Sequence, residues 1–221
     1  EVFLPLADFE SINAEQLDQI VCGTNEGFSE IWWHYPSSGS ATNNRYVIYN
    51  YLQGIWYHGT LTRTAWFDSA LYGHPVAAVG NTIVEHEVGV DANTNGLVEA
   101  IPAYITSAPV DLGDGGSFTL INRVLPDMTF EGSTSLNPQA TFELLPAKNA
   151  GSGYKSPRSV AGISAAPVVR SAAAPVEMFT EQLNIRVRGR QISLQVRSDA
   201  VGTMWQLGTP RVDGRPDGQR G

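Results

Sequence analysis

The side chains best suited to metal or nucleophile chemistry are few: His34, His58, His74, His86 and the single cysteine, Cys22. Their spacing does not support either chemistry. No two histidines stand four residues apart, and no His-Glu-x-x-His string occurs, so the helical zinc pattern is missing. One cysteine excludes an internal disulfide and every paired-cysteine zinc site. His34 and His58 fall in aromatic runs and are expected to be neighbours across a sheet, in packing or hydrogen-bonding roles. Glu85-His86-Glu87 places three ligand types in a row. A strand sends alternate side chains to opposite faces, so only Glu85 and Glu87 would share one, and they are expected to be surface carboxylates.

Other strings fare no better. Asp91-Ala92-Asn93-Thr94-Asn95-Gly96 matches the first half of a calcium loop, with oxygen ligands at alternate positions and a glycine at the bend. The twelfth position, where a bidentate Glu belongs, is Pro102. A polar turn in which Asp and Asn satisfy the backbone accounts for the same residues. Asp111 and Asp114 imitate a glycosidase pair, but Gly113, Gly115 and Gly116 mark a turn. There is no Gly-x-Ser-x-Gly and no phosphate-cradling glycine loop. The Trp and Tyr residues between 32 and 66 are suited to stacking on sugar rings, yet so apolar a run more often builds a core. The expectation is a protein that is not an enzyme, with no catalytic residue, no cofactor and no metal.

The elements that carry these residues are mostly strands. One short N-terminal helix is predicted: Asn13 as cap, Gln16 three residues later, Leu17, Ile20 and Val21 near one face, Gly23 as its end. Three strands follow, at Glu30–Tyr35, Asn44–Tyr51 and Ile55–Leu61, rich in the β-branched and aromatic residues that suit a pleated surface. They predict a meander with two apolar faces that must be covered on both, as in a propeller blade. A pair at Pro75–Val79 and Thr82–Val90 is joined at Gly80-Asn81, and longer strands are expected at Ala103–Leu112, Phe118–Glu131, Thr141–Leu145 and Trp205–Pro210. Residues 147–176, biased toward Ala, Ser, Gly and Pro, predict a long loop. Leu183, Ile185 and Val187, then Ile192, Leu194 and Val196, alternate with polar residues and predict a hairpin turning at Gly189-Arg190. The fold class is therefore all-β: a partial β-propeller-like meander region over 1–100, then a β-sandwich-like domain over 101–221.

Charge divides along the chain. Residues 1–143 carry a net −14 and residues 144–221 a net +6, within a total of −8. Arg186, Arg188, Arg190 and Arg197 project from the wet face of the predicted hairpin and are candidate intersubunit contacts, where guanidinium forks meet carboxylates of a neighbour. The acidic part disfavours nucleic-acid binding. No apolar run approaches the ~18 residues of a membrane-spanning helix, and no membrane insertion is expected.

Several multi-residue strings carry a resemblance. Asn25-Glu26-Gly27-Phe28-Ser29-Glu30-Ile31-Trp32-Trp33, Asn44 through Tyr51, Ile55 through Leu61 and Arg63-Thr64-Ala65-Trp66 resemble the propeller segment of tail proteins of short-tailed bacteriophages, the tail nozzle or tail tubular protein B family. Arg186 through Gln191, Trp205 through Arg211 and Arg215-Pro216-Asp217-Gly218 resemble the C-terminal portion of the same family. The resemblance implies a structural virion protein, made in the host cytoplasm. It would be a subunit of a homo-oligomeric ring, typically a hexamer, at the end of the tail. DNA would pass through the ring without specific binding, and an adaptor and a tail fibre or spike would be its neighbours. A carbohydrate- or receptor-binding β-protein of the tail is the alternative, and it requires the aromatic rings to be exposed.

Overall fold

A computed structural model describes residues 12–68, 73–94, 96–112, 116–147 and 171–218. The chain divides into two compact units, Glu1–Gly89 and Val90–Gly221. The division falls ahead of the expected boundary at 100. Asp91 gives the reason: its Oδ1 accepts a hydrogen bond from the Gly202 amide at 2.7 Å, tying the segment after Gly89 to the second unit.

In the first unit, Asn13 caps a 3-10 helix, Ala14–Gln19, its side chain accepting from the Glu15 amide at 3.0 Å. Here the predicted helix is overturned beyond Gln19. Gln16 leaves helical geometry, Leu17 and Ile20 are exposed, and the chain becomes extended at Val21. β1 (Val21–Asn25), β2 (Glu30–Tyr35), β3 (Arg45–Asn50) and β4 (Ile55–Thr60) form a four-stranded antiparallel sheet in chain order. The three predicted meander strands are present, and β1 is the strand that helical spacing concealed. β5 (Ala65–Phe67), β6 (Val76–Val79) and β7 (Thr82–Glu85) form a second antiparallel sheet. The pair at 76–79 and 82–85 turns at Gly80 as expected.

The register sorts the meander's side chains. Trp32 stands opposite Ile48, which in turn stands opposite Tyr57, and His34 stands opposite Tyr46, which stands opposite Gly59. Trp33, Val47 and His58 therefore point the other way, so His34 and His58 lie on opposite faces and are not the expected neighbours. Burial is uneven, with Tyr35 buried on the face of Trp33 and Tyr57 exposed on the face of Trp32. Trp32, His34 and Ile48 are buried, whereas Trp33, Tyr49 and Trp56 on the other face are only half-buried. The expectation of two covered faces holds in part: the face of Trp32, His34 and Ile48 is the better covered, and Tyr35 is buried on the other.

The second unit begins with the hairpin β8 (Ala92–Thr94) and β9 (Leu97–Glu99). β10 (Ala103–Thr106), β11 (Val110–Asp111), β12 (Thr119–Leu125), β13 (Met128–Thr129), β14 (Gln139–Ala147), β15 (Ala172–Glu177), β16 (Val187–Gly189), β17 (Gln191–Ser198), β18 (Gln206–Leu207) and β19 (Arg211–Pro216) follow. β10, β17, β14 and β15 make a sheet in that order, with β11 also on β17. β16, β12 and β19 make another, and β13 pairs with β18. The fold is thus mostly β, in several small antiparallel sheets. Among the described residues no sheet closes on itself and none forms a propeller.

One buried cluster joins the two larger sheets. Ile121, Val124 and Val187 from one meet Phe142, Leu144, Val176, Ile192 and Val196 from the other, with Leu183 and Ile185 beside them. The predicted alternation over 183–197 is therefore correct about which side chains face the core. The predicted hairpin is not formed. β16 pairs with β12, and β17 pairs with β14, β10 and β11. The chain crosses between sheets at Gly189, where a Cβ would sit 2.9 Å from Pro146 Cβ and from the Gln191 carbonyl oxygen. The loop expected at 147–176 lies, for residues 148–170, outside the described residues. At its ends Ala147 closes β14, and residues 172–176 belong to β15, paired with β14 through Gln139↔Glu177 to Leu144↔Ala172. Small side chains suit this edge strand as well as they suit a loop. The strand expected at Trp205–Pro210 is the short β18, and a further strand follows it at Arg211–Pro216.

Phe142 is fully buried, and its replacement by alanine is expected to destabilise the second unit by ~3–5 kcal/mol. Ile83→Ala, at a site 76% exposed, should change stability by less than ~0.5 kcal/mol. Urea unfolding reads both, with the fluorescence of Trp205 reporting the second unit. Equal effects would contradict this placement of the core.

Candidate functional site

Two groups of residues stand out, one in each unit. In the first, the buried face of the meander carries an aromatic box. Trp66, on β5, stacks on Trp32 with centroids 5.3 Å apart and planes 22° apart. His34 lies 5.5 Å from the Trp66 ring and 5.7 Å from Trp32, and His86 lies 4.6 Å from Trp66. Tyr46 closes the box 5.2 Å from Trp32. The Trp66 indole rests where a side chain at residue 23 would be: a Cβ there would sit 1.8 Å from Trp66 Cδ1. Gly23 was expected to end a helix; its role is to leave this space in β1. The Trp66 Nε1 then donates to the Thr24 carbonyl at 3.0 Å.

Electrostatics keep the box uncharged. Arg63 Nε donates to His86 Nε2 at 2.8 Å, which makes that nitrogen an acceptor and leaves the proton on Nδ1. Burial, then the Arg63 guanidinium, then His34 lower the His86 pKa to about 4. Burial and then Arg63 lower that of His34 to about 4. His34 is fully buried, and neither of its ring nitrogens has a hydrogen-bond partner among the described residues. Glu30 accepts from Trp32 Nε1 at 3.0 Å, and Glu87 accepts from Asn25 Nδ2 at 3.2 Å. Burial raises the pKa of both carboxyl groups.

The box residues pack ring against ring. Neither box histidine is hydrogen-bonded to a carboxylate that would orient it as a base. The Cys22 thiol has its pKa raised by burial and by Asp68, which disfavours the nucleophilic thiolate. No group of three metal-ligating side chains comes together among the described residues. His74 Nε2 lies 3.4 Å from Glu85 Oε2. At the calcium-like string, Asp91 accepts from Gly202 and Asn93 Oδ1 accepts from the Gly96 amide at 3.1 Å, as in a polar turn. Asp111 accepts from Gln191 Nε2 at 2.9 Å, and Asp114 lies outside the described residues.

The second group is the arginines. Arg188 and Arg190 lie over the same ring, Phe118, at 4.1 and 4.9 Å from its centroid. Arg188 also pairs with Asp217. Arg186 precedes β16 between buried Ile185 and Val187 and is exposed on the same side as Arg188. Arg197 is separate. It extends from β17 between Tyr104 and Thr141, on the other sheet of the unit. The structure instead adds three residues that the hairpin reading missed. Arg215 stands across Leu120 from Arg188, Arg123 pairs with Asp213, and Arg211 stands opposite Leu125. The signal was the alternation Arg211, Asp213, Arg215 in the further strand beyond Trp205–Pro210.

Two outcomes are expected from the box. The unfolded chain binds protons on His34 and His86 near the ordinary pKa of 6.5, while the folded state resists them down to about 4. Stability is complete above pH 6.5 and declines as pH falls toward 4, where the raised pKa values of Glu30 and Glu87 work in the opposite sense. The melting temperature of the first unit should fall by roughly 5–10 °C between pH 7 and pH 5. His34→Leu should remove an orphaned buried polar group, raise stability at pH 7 by ~1 kcal/mol and flatten that pH dependence. A loss of stability in His34→Leu, with the pH dependence unchanged, would contradict the account. No protein-family model matches the chain, and no curated protein matches it.

Proposed function

We propose that the chain is a structural subunit of a bacteriophage tail, a component of the ring-shaped nozzle or tube through which DNA leaves the virion. The observation that carries this reading is where the resembling strings fall. One set makes up β2, β3, β4 and β5, with both tryptophans of the box. The other falls on β16 and the two ends of β19, flanking strands of one sheet, and on β18 of a second sheet. In this reading the meander is a blade-like element and the second unit a sandwich. Support comes also from apolar side chains left in water. Ile105 on edge strand β10 is 51% exposed, and Val110 on β11 is exposed on the same face beside strand β17, while Tyr104, 70% exposed, lies on the opposite face. Such a grouping marks a surface that another protein covers.

The partners are further copies of the chain, in a ring that the family resemblance sets at six, with an adaptor and a tail fibre or spike beside it. The acidic N-terminal part faces the genome. Phosphates bind basic surfaces with a salt-dependent hold, and a conduit works better without one. The alternative, a carbohydrate- or receptor-binding tail protein, is favoured by one observation. Trp33 and Trp56 stack 5.9 Å apart beside Tyr49 on the half-buried face of the meander.

Native mass spectrometry of the full chain is expected to show a closed oligomer, and labelled antibodies should decorate phage tails. A monomer that is absent from virions would overturn the proposal. Binding of oligosaccharides that is lost in Trp56→Ala would favour the alternative.

A further inference from the structure

The outer face of the β16–β12–β19 sheet is basic in a chain whose net charge is −8. Its construction is specific. Ile121 points to the core, the register shifts between Ile121 and Arg123, and the side-chain alternation restarts so that Arg123 points outward to Asp213. Arg188 and Arg123 are held by carboxylates of the same face, while the side chains of Arg186, Arg211 and Arg215 have no hydrogen-bond or ion-pair partner among the described residues. Half-buried Leu120 lies between Arg188 and Arg215.

We infer that this face docks head-to-tail onto the 3-10 helix Ala14–Gln19 of a second copy of the chain, arginine to carboxylate and leucine to leucine. The inference rests on the self-assembly proposed above and names its contact. The helix carries what the face lacks. Glu15 and Asp18 are exposed and have no ion-pair partner among the described residues, and Leu17 and Ile20 are exposed between and beside them. The first unit has a net charge of −8, and the second is neutral overall, with Arg186, Arg211 and Arg215 on this face and Arg197 on the other sheet. A nucleic acid fits less well. Asp213 and Asp217 stand among the arginines and would repel phosphates, and Leu120 offers nothing to a sugar–phosphate backbone. The contact uses two different surfaces, so it repeats from copy to copy and closes into a ring or continues as a filament.

The test is a charge exchange, read by mass photometry and sedimentation velocity on the full chain at ~50 and ~500 mM salt, a range over which exposed charge pairs are screened. The wild type should assemble, and salt should weaken the assembly. Arg186→Glu with Arg215→Glu should weaken self-association at least ~10-fold without changing the circular dichroism, because both side chains are exposed. Glu15→Arg with Asp18→Arg should do the same, and mixing the two variants should restore assembly. If both variants assemble like the wild type, the contact is wrong although self-assembly stands. A wild type that stays monomeric at ~100 μM would overturn the self-assembly and the contact together. Retention of duplex DNA by the wild type at ~150 mM salt, lost in Arg186→Glu with Arg215→Glu, would assign the face to nucleic acid and overturn the docking.

Discussion

The first unit depends on the missing side chain at Gly23. The Trp66 indole occupies the place where a Cβ of residue 23 would stand, and from there it stacks on Trp32 and contacts His34 and His86. The rest of the box follows from that approach. His86 is covered closely enough to stay neutral, and Arg63 reaches it to donate a hydrogen bond. A glycine inside a strand normally weakens it. Here the ring fills the space, so β1 can lie flat against an aromatic surface. Two imidazoles kept neutral beside the Arg63 guanidinium complete a tightly packed wall.

The second unit solves a different problem. Its core is shared by two sheets, and a single run of chain, from Leu183 to Val196, supplies side chains to both. Gly189 allows the crossing by passing close to Pro146 and Gln191. Because each sheet turns one face inward, its polar residues are left on the other. The arginines of β16 and β19 are thereby gathered on one surface, while Arg197 leaves from the other sheet. The charge asymmetry of the chain becomes directional through this topology.

Much of this was legible in the residues. β-branched and aromatic runs located β2, β3 and β4 to within a residue or two, because a half-buried pleated sheet demands those types. Alternation assigned the core faces of residues 183–196 correctly, because the side-chain period of a strand does not depend on which strand it pairs with. For the same reason alternation could not tell a hairpin from a crossing between sheets, and the pairing of β16 with β12 stayed hidden. Gly23 read as a helix end because a glycine stop and a glycine that admits a distant ring look alike until Trp66 is placed, 43 positions later. His34 and His86 were individually visible. Their meeting depends on a second sheet packing over the first unit's meander, which no local pattern encodes.

The proposed self-contact joins the arginine face of one copy to the 3-10 helix of another. Hydrogen–deuterium exchange, compared between dilute and concentrated protein, tests it most directly. The account predicts slower exchange on association at residues 14–19 and 211–216, with β2 and β3 unchanged. Slower exchange confined to β2 and β3, or no difference anywhere across a concentration range in which the protein assembles, would contradict it.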